Sequence, residues 1–300
     1  MDLLVASEIG SAKFIAEFLK NEEIFFLAGS DIVEDYLKKN TLYKPYSSQE
    51  YFPENIYLGS TIGPSLEREI FLDYKQTNAR IISFIDSPWN ISQRFIDEKT
   101  GIKWSYSPKE IIVPHSSIKD DLITQGYDGS VMVHPRKLFE PNYSEGIKSI
   151  SSEEINRVRA NYAIKEDEDI FIFISEYEQK IPKYWKIEPE QFSYEEIQKS
   201  LDLFINFYSN YTKPKKAFIK WHPTKLDKNE LRIDPLLKFN ELNEIKKKEL
   251  FCLGDFYIGL NSMLLLEAYN FGLNTMSFQT KEMINKKSLC DITKIKRIVA

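Results

Sequence analysis

Short apolar runs alternate with amphipathic stretches along most of the chain. Asp2 to Ala6 reads as a buried strand, Ser7 to Gly10 as a polar turn, and Ser11 to Asn21 as a helix with Phe14, Ile15, Phe18 and Leu19 on one face. Ile24 to Ala28 repeats the strand, Gly29-Ser30-Asp31 supplies turn and N-cap chemistry, and Ile32 to Lys39 is the next helix. The alternation recurs: strand Asn55 to Leu58 stops at Gly59-Ser60-Thr61, helix Leu66 to Asn78 follows, and strand Arg80 to Ile85 stops at Asp86-Ser87-Pro88-Trp89. Glu110 to Pro114, a helix over Ser116 to Gln125, and Val131 to Val133 before His134-Pro135 complete the first half.

Pro141 to Ser152 is polar, lacks periodicity and contains Pro141 and Gly146, which predicts an interdomain linker. After a helix over Ser151 to Ala160 the alternation restarts, with strands Ile170 to Ser175, Ala217 to Trp221, Asp255 to Ile258 and Asn274 to Phe278. Between them lie a long helix, Tyr194 to Tyr211, and a second helix that Asn261 or Ser262 caps and Gly272 stops after Phe271. Repeated β–α units in both halves predict an α/β protein of two Rossmann-like parallel-sheet domains facing a cleft, residues 1–145 and 146–300.

The length of 300 residues agrees with two cores, and 42% hydrophobic residues can fill them. A net charge of −5 argues against nucleic acid as a partner. Cys252 and Cys290 are the only cysteines, so neither a disulfide framework nor a cysteine zinc site can be built from them. The N-terminus has no basic n-region ahead of an apolar run, and no apolar stretch reaches the length of a membrane span, so a cytoplasmic location is expected. Lys246-Lys247-Lys248 and the tail Lys294 to Arg297 are either solvated ends or contacts with anionic lipid at the inner face of a membrane.

The candidate chemistry sits at strand ends, where open α/β sheets place ligands. His222, before Pro223, ends one strand and is a ligand contact or a ring satisfied by backbone. Asn261 and Ser262 stand at a helix N-terminus, where free N–H groups favour an anion, and a plain N-cap accounts for them equally. Glu267 lies in the apolar run Met263 to Ala268 and needs a partner. Glu166-Asp167-Glu168-Asp169 has the Asp-x-Asp spacing of metal-dependent transferases, but it precedes a strand and reads as a solvated turn. His115 and His134 are further strand-end candidates, and neither a Gly-x-Gly-x-x-Gly nor a Walker loop is present.

In their order and strand-end positions, Gly59-Ser60-Thr61, Ile82 to Asn90 with Arg94-Phe95, Ile112-Val113-Pro114, Phe173 to Glu176, Lys220 to Pro223 and Gly259 to Ala268 followed by Gly272 carry a resemblance. The chain resembles the GT-B-like glycosyltransferases of bacterial surface polysaccharide synthesis, including sialyltransferase-like enzymes with His-Pro and Ser motifs, and more distantly the nucleotide-sugar 2-epimerases. The resemblance implies a nucleotide-sugar donor on the second domain, a glycan or glycolipid acceptor on the first, and inverting transfer with no metal and no cofactor. His222 would then donate a hydrogen bond to the leaving phosphate, Glu267 would accept from ribose hydroxyls, and Ser175 and Glu176, or Glu178 instead, would face the cleft. Asp86 is the first choice as general base and Glu8 the second, although Asp86 is equally a turn residue. Gly59, Ser60 and Thr61 would shape the cleft, and Glu67 is expected on a helix surface. The base motif of sialyltransferase-like enzymes, two acids and a Gly, is matched poorly by Tyr127-Asp128-Gly129. A hydrolysing nucleotide-sugar 2-epimerase and a non-catalytic nucleotide-binding scaffold are the alternatives.

Overall fold

The computed structural model of the chain describes residues 2–19, 24–47, 52–136, 139, 147, 149–176, 181–187, 190, 192–222, 231–233, 239–242, 244–286 and 288–299. Pro223, Glu178 and most of the expected linker lie outside them. Two compact units are present: Met1–Arg136 with Lys180–Glu190, and Lys137–Gln179 with Gln191–Ala300.

In unit 1 the order is β1 (Asp2–Ala6), α1 (Ile9–Leu19), β2 (Phe25–Ala28), α2 (Asp31–Asn40), β3 (Lys44–Pro45), β4 (Asn55–Leu58), α3 (Leu66–Tyr74), β5 (Arg80–Phe84), β6 (Glu110–Val113), α4 (Ser116–Thr124) and β7 (Ser130–Val133). Its strands form one parallel sheet of order β3-β2-β1-β4-β5-β6-β7. Leu3, Leu4, Val5 and Ala6 of β1 have no exposed surface, as expected for a strand covered on both faces. On one face Phe14 of α1 meets Phe84 edge-on, with ring centroids 5.4 Å apart. His134 meets Phe18 edge-on at 5.1 Å, so it is a packing residue of this layer. His115 caps α4, its Nδ1 accepting from Ser117 N–H at 3.2 Å.

Unit 2 contains α5 (Ser152–Asn161), β8 (Asp169–Ile174), α6 (Tyr194–Asn210), β9 (Lys215–Lys220), β10 (Asn240–Glu241), α7 (Lys247–Leu253), β11 (Phe256–Gly259), α8 (Met263–Asn270), β12 (Asn274–Gln279), α9 (Leu289–Ile292) and β13 (Lys296–Val299). Its parallel sheet has the order β10-β9-β8-β11-β12-β13. Ser193 and Glu196 close a capping box that fixes the start of α6, a feature worth about 1 kcal/mol. Buried Phe171, Phe173 and Phe204 form the centre of its core.

The structure departs from the sequence expectations at several places. The helix expected to reach Asn78 stops at Tyr74, because the Thr77 hydroxyl bonds to Tyr74 O and Ala79 N and offers the backbone a turn in place of another helical step. Lys296 and Arg297 of the basic tail open the edge strand β13, which pairs in parallel with β12. A segment from the second half of the sequence, Lys180–Glu190, belongs to unit 1. There Ile187 packs with Ile62 and Ile96. Glu190 and Asn90 exchange hydrogen bonds, N–H to Oδ1 at 2.9 Å and N–H to Oε2 at 3.1 Å. The expected turn at Glu166 to Asp169 does form, and Glu168 accepts from Lys165 N–H at 2.9 Å just before β8.

Candidate functional site

Each sheet reverses its strand order once, between β1 and β4 in unit 1 and between β8 and β11 in unit 2. Chains leaving neighbouring strands at such a point diverge to opposite faces, which opens a crevice at the C-terminal ends of the strands. The expected site residues collect there, Glu8 and Gly59 to Thr61 in unit 1, Ser175, Glu176, Asn261 and Ser262 in unit 2.

In unit 1 the hydrogen bond from Gly59 N–H to Val5 O, 2.8 Å long, holds the ends of β1 and β4 side by side. A Cβ at Gly59 would meet Ser11 Cβ at 2.9 Å and Glu67 Oε1 at 3.1 Å, so only glycine fits. Glu67 was expected on a helix surface and is instead 4% exposed. Its carboxylate accepts from Ser7 N–H at 2.7 Å and from Ser7 Oγ at 2.6 Å, which fixes the turn that carries Glu8. The sequence masked this role because the residues around Glu67 read as an ordinary polar helix start.

Arg94 organises the rest. It is 8% exposed, and its Nη1 donates to Ser60 O at 2.6 Å, Ser60 Oγ at 3.1 Å and Asp86 Oδ1 at 3.1 Å. Its Nη2 donates to Ser87 Oγ at 2.5 Å. One planar fork thus ties the strand ends of β4 and β5 together, a task a lysine cannot copy. Asp86 is 9% exposed and lies against α1, where a Cβ at Gly10 would collide with its carboxylate. A second buried guanidinium, that of Arg136, reaches Asp86 O at 3.5 Å and Glu17 at 3.7 Å. Thr61 is half-buried, and among the described residues its hydroxyl bonds to the neighbouring Ile62 O, at 3.5 Å.

The two carboxylates expected as base are therefore in different states. Asp86 is bound by Arg94 and enclosed. Glu8 is exposed along one side and crowded by protein on the others. The resulting loss of hydration pushes its carboxyl up to about 7, with the positive charge of Arg94 opposing and the negative charges of Asp86 and Glu67 adding to the rise. A carboxyl poised near neutrality and open to solvent can take a proton, whereas an enclosed, ion-paired one chiefly holds its neighbours in place.

In unit 2 the pairing of Gly259 with Ile174 sets Leu260 beside Ser175. The Glu176 carboxylate accepts from the Asn261 N–H, and Leu260 and Ser262 also donate to it through their backbones. Burial raises its carboxyl to about 8, and the backbone donors oppose that rise. Ser262 is the N-cap of α8, its Oγ accepting from Leu264 N–H at 3.2 Å, and Asn261 Oδ1 accepts from Leu289 N–H at 2.7 Å. Glu267 finds the partner its apolar setting demands in Lys247. His222 is half-buried, two residues beyond the end of β9, the strand next to β8. The Ser175 hydroxyl bonds to Glu176 O at 3.3 Å. Among the described residues no three His, Cys, Asp or Glu side chains are grouped to hold a metal ion, and no helix is long and apolar enough to cross a membrane.

Arg94 had no site role from sequence, and the seating of the expected site residue Glu176 on the start of α8 was not foreseen. An Arg flanked by Ile91, Phe95 and Ile96 was the available signal for the first, since a buried guanidinium needs several acceptors. The second needed tertiary contact between residues 85 positions apart.

Together these features define a protein of two parallel α/β units, each with polar residues gathered at the strand ends where its strand order reverses. No protein-family model matches the chain, and no curated protein matches it in sequence. Solved structures do match. A glycosyltransferase from Rickettsia africae ESF-5 aligns with 99% of this chain and 83% of its own at 12% identity, with a TM-score of 0.56. WaaG, a glycosyltransferase involved in lipopolysaccharide biosynthesis, aligns with 100% of this chain and 86% of its own at 9% identity, with a TM-score of 0.54. At these identities the likeness establishes the fold, a GT-B-like pair of parallel-sheet α/β units.

Proposed function

We propose that this protein is a glycosyltransferase that moves a sugar from a nucleotide-sugar donor to a surface glycan or glycolipid. The observation that carries the reading is the coincidence, in both sheets, of the strand-order reversal with the polar residues singled out from sequence. The donor's phosphates bind the backbone N–H groups of Leu260, Asn261 and Ser262, which converge on one carboxyl group, that of Glu176. His222 donates a hydrogen bond to the leaving phosphate, and Ser175, 1% exposed, supports the end of β8 from within. The acceptor binds unit 1 beside Gly59, Ser60 and Thr61. Glu8 removes the proton from its attacking hydroxyl, while Asp86 and Arg94 keep the strand ends in register. Glu267 remains with Lys247 and steadies α8 at its inner turn.

The test is a thermal-shift screen against CMP, UDP, GDP, dTDP and their sugars, followed by product analysis with the nucleotide that binds. One nucleotide at 100 times its dissociation constant should stabilise the protein by about 2.7 kcal/mol. The Glu8→Gln variant should show the same shift but form glycoside about 100-fold more slowly. A screen in which no nucleotide raises the melting temperature would overturn the reading. So would an epimerised free sugar as the only product, which marks a hydrolysing epimerase.

A further inference from the structure

Half of the six basic residues in the runs that the sequence offers for contact with lipid are paired within their own unit. Lys247 pairs with Glu267, Lys248 with Glu154, and Arg297 with Asp291 at 2.5 Å. Lysines from two distant stretches of sequence instead meet on unit 1. Lys186 N–H donates to Glu98 O at 2.9 Å, and the Lys186 side chain runs along Gly101, where an added Cβ would lie 3.3 Å from Lys186 Cβ. Lys99 and Lys103 flank Gly101, and Lys183 sits in the turn closed by Trp185 N–H to Pro182 O at 2.9 Å. All four lysines are exposed, and none forms an ion pair among the described residues.

The acids beneath them are turned inward. Glu98 pairs with buried Arg68 at 2.8 Å, and the Asp97 carboxylate accepts from the N–H groups of Lys99 and Thr100 and from the Tyr106 hydroxyl. At the same surface two large side chains project into solvent, Ile102 at 62% and Tyr184 at 80% exposure. Both turns are held firmly. Gly101 has a φ of +78°, and Trp185 lies on Gly63, whose φ of +83° and missing side chain make room for the indole.

We propose that the loop of residues 99–103 and the turn of residues 183–186 form a docking surface for an anionic lipid bilayer. The lysines meet lipid phosphates, the Tyr184 ring lies among the headgroups, and Ile102 reaches the acyl boundary. Apolar tips among unpaired lysines suit a surface that is charged outside and oily within, and a protein of net charge −5 needs such a local reversal of sign to approach an anionic membrane. The assignment is independent of the transferase reading, because the surface lies in residues that take no part in it and vesicle binding requires no nucleotide.

The test is sedimentation of the full chain with phosphatidylcholine vesicles and with vesicles enriched in phosphatidylglycerol. Binding should appear only with the anionic vesicles and fall as salt rises. Lys183→Gln with Lys186→Gln should weaken it about 25-fold, at roughly fivefold per lysine. Ile102→Ser with Tyr184→Ser should weaken it at unchanged charge, whereas Lys75→Gln, on the exposed end of α3, should not. All variants should melt at the parent's temperature. The proposal is overturned if the parent stays in solution with anionic vesicles or if the lysine variant binds like the parent. It is also overturned if the Ile102/Tyr184 variant binds undiminished while the parent binds RNA as tightly as lipid, which would make the patch a nucleic-acid surface.

Discussion

The two sheet reversals use charge in opposite ways. In unit 1, three carboxylates, those of Glu8, Glu67 and Asp86, gather near the guanidinium of Arg94, and their mutual repulsion helps keep Glu8 protonated to near neutral pH. In unit 2 one carboxylate, that of Glu176, lies against a row of backbone N–H groups at the start of α8. An excess of acid suits the movement of a proton and repels phosphate, whereas a row of amide donors suits an anion and moves no proton. The same topology thus yields two kinds of polar strand end, and the side chains there decide which.

The sharpest way to break this comparison is at Glu8. Glu8→Gln should lower kcat by about 100-fold or more, the ordinary worth of a general base, with little change in the KM for donor. In the parent the rate should rise with pH through about 7, because only the deprotonated carboxylate accepts a proton, and that limb should vanish in the variant. An unchanged kcat would move the base elsewhere.

Next in size is the fork of Arg94. Arg94→Met leaves the enclosed Asp86 carboxylate without its cation and should cost about 3–5 kcal/mol in urea unfolding. Asp86→Asn combined with Arg94→Met should recover part of that loss, since the interaction is shared by the pair. Equal stability of the two variants would mean that the pair is not what joins the strand ends.

The smallest effect belongs to unit 2. Glu176 is raised to about 8, so it is largely neutral at pH 7 and becomes an anion above pH 8, where it both repels phosphate and competes for its amide donors. Nucleotide affinity should therefore weaken on the order of tenfold as pH rises through that range, the size of one like-charge contact near a surface. Glu176→Gln should flatten the dependence, and titration calorimetry across pH reads both.

Most strands were legible because each is a short apolar run bounded by turn residues, as in Asp2–Ala6 and Asp169–Ile174. The strands without that signal escaped. Lys44–Pro45, Asn240–Glu241 and Lys296–Val299 are edge strands, with one side open to water, so they need no continuous apolar run. At the sites, the turn after each strand could be read, and with it Glu8, Gly59 to Thr61, Glu176 and Ser262. Their states could not. Glu67 looks like a surface acid until Ser7 is brought to it across 60 residues, and Asp86 looks like an available base until Arg94 closes on it.

The sequence alone determined the repeated β–α units, the strand ends at which polar residues fall, and the helix start at Ser262, because these follow from local hydrophobic period and from capping chemistry within a few residues. Only the tertiary structure decided the rest. It set the strand order that makes β1 and β4, or β8 and β11, neighbours, the attachment of residues 180–190 to unit 1, and which acid is paired, raised or exposed. Those outcomes depend on contacts between groups far apart in the chain, and a carboxylate takes its charge state from what surrounds it.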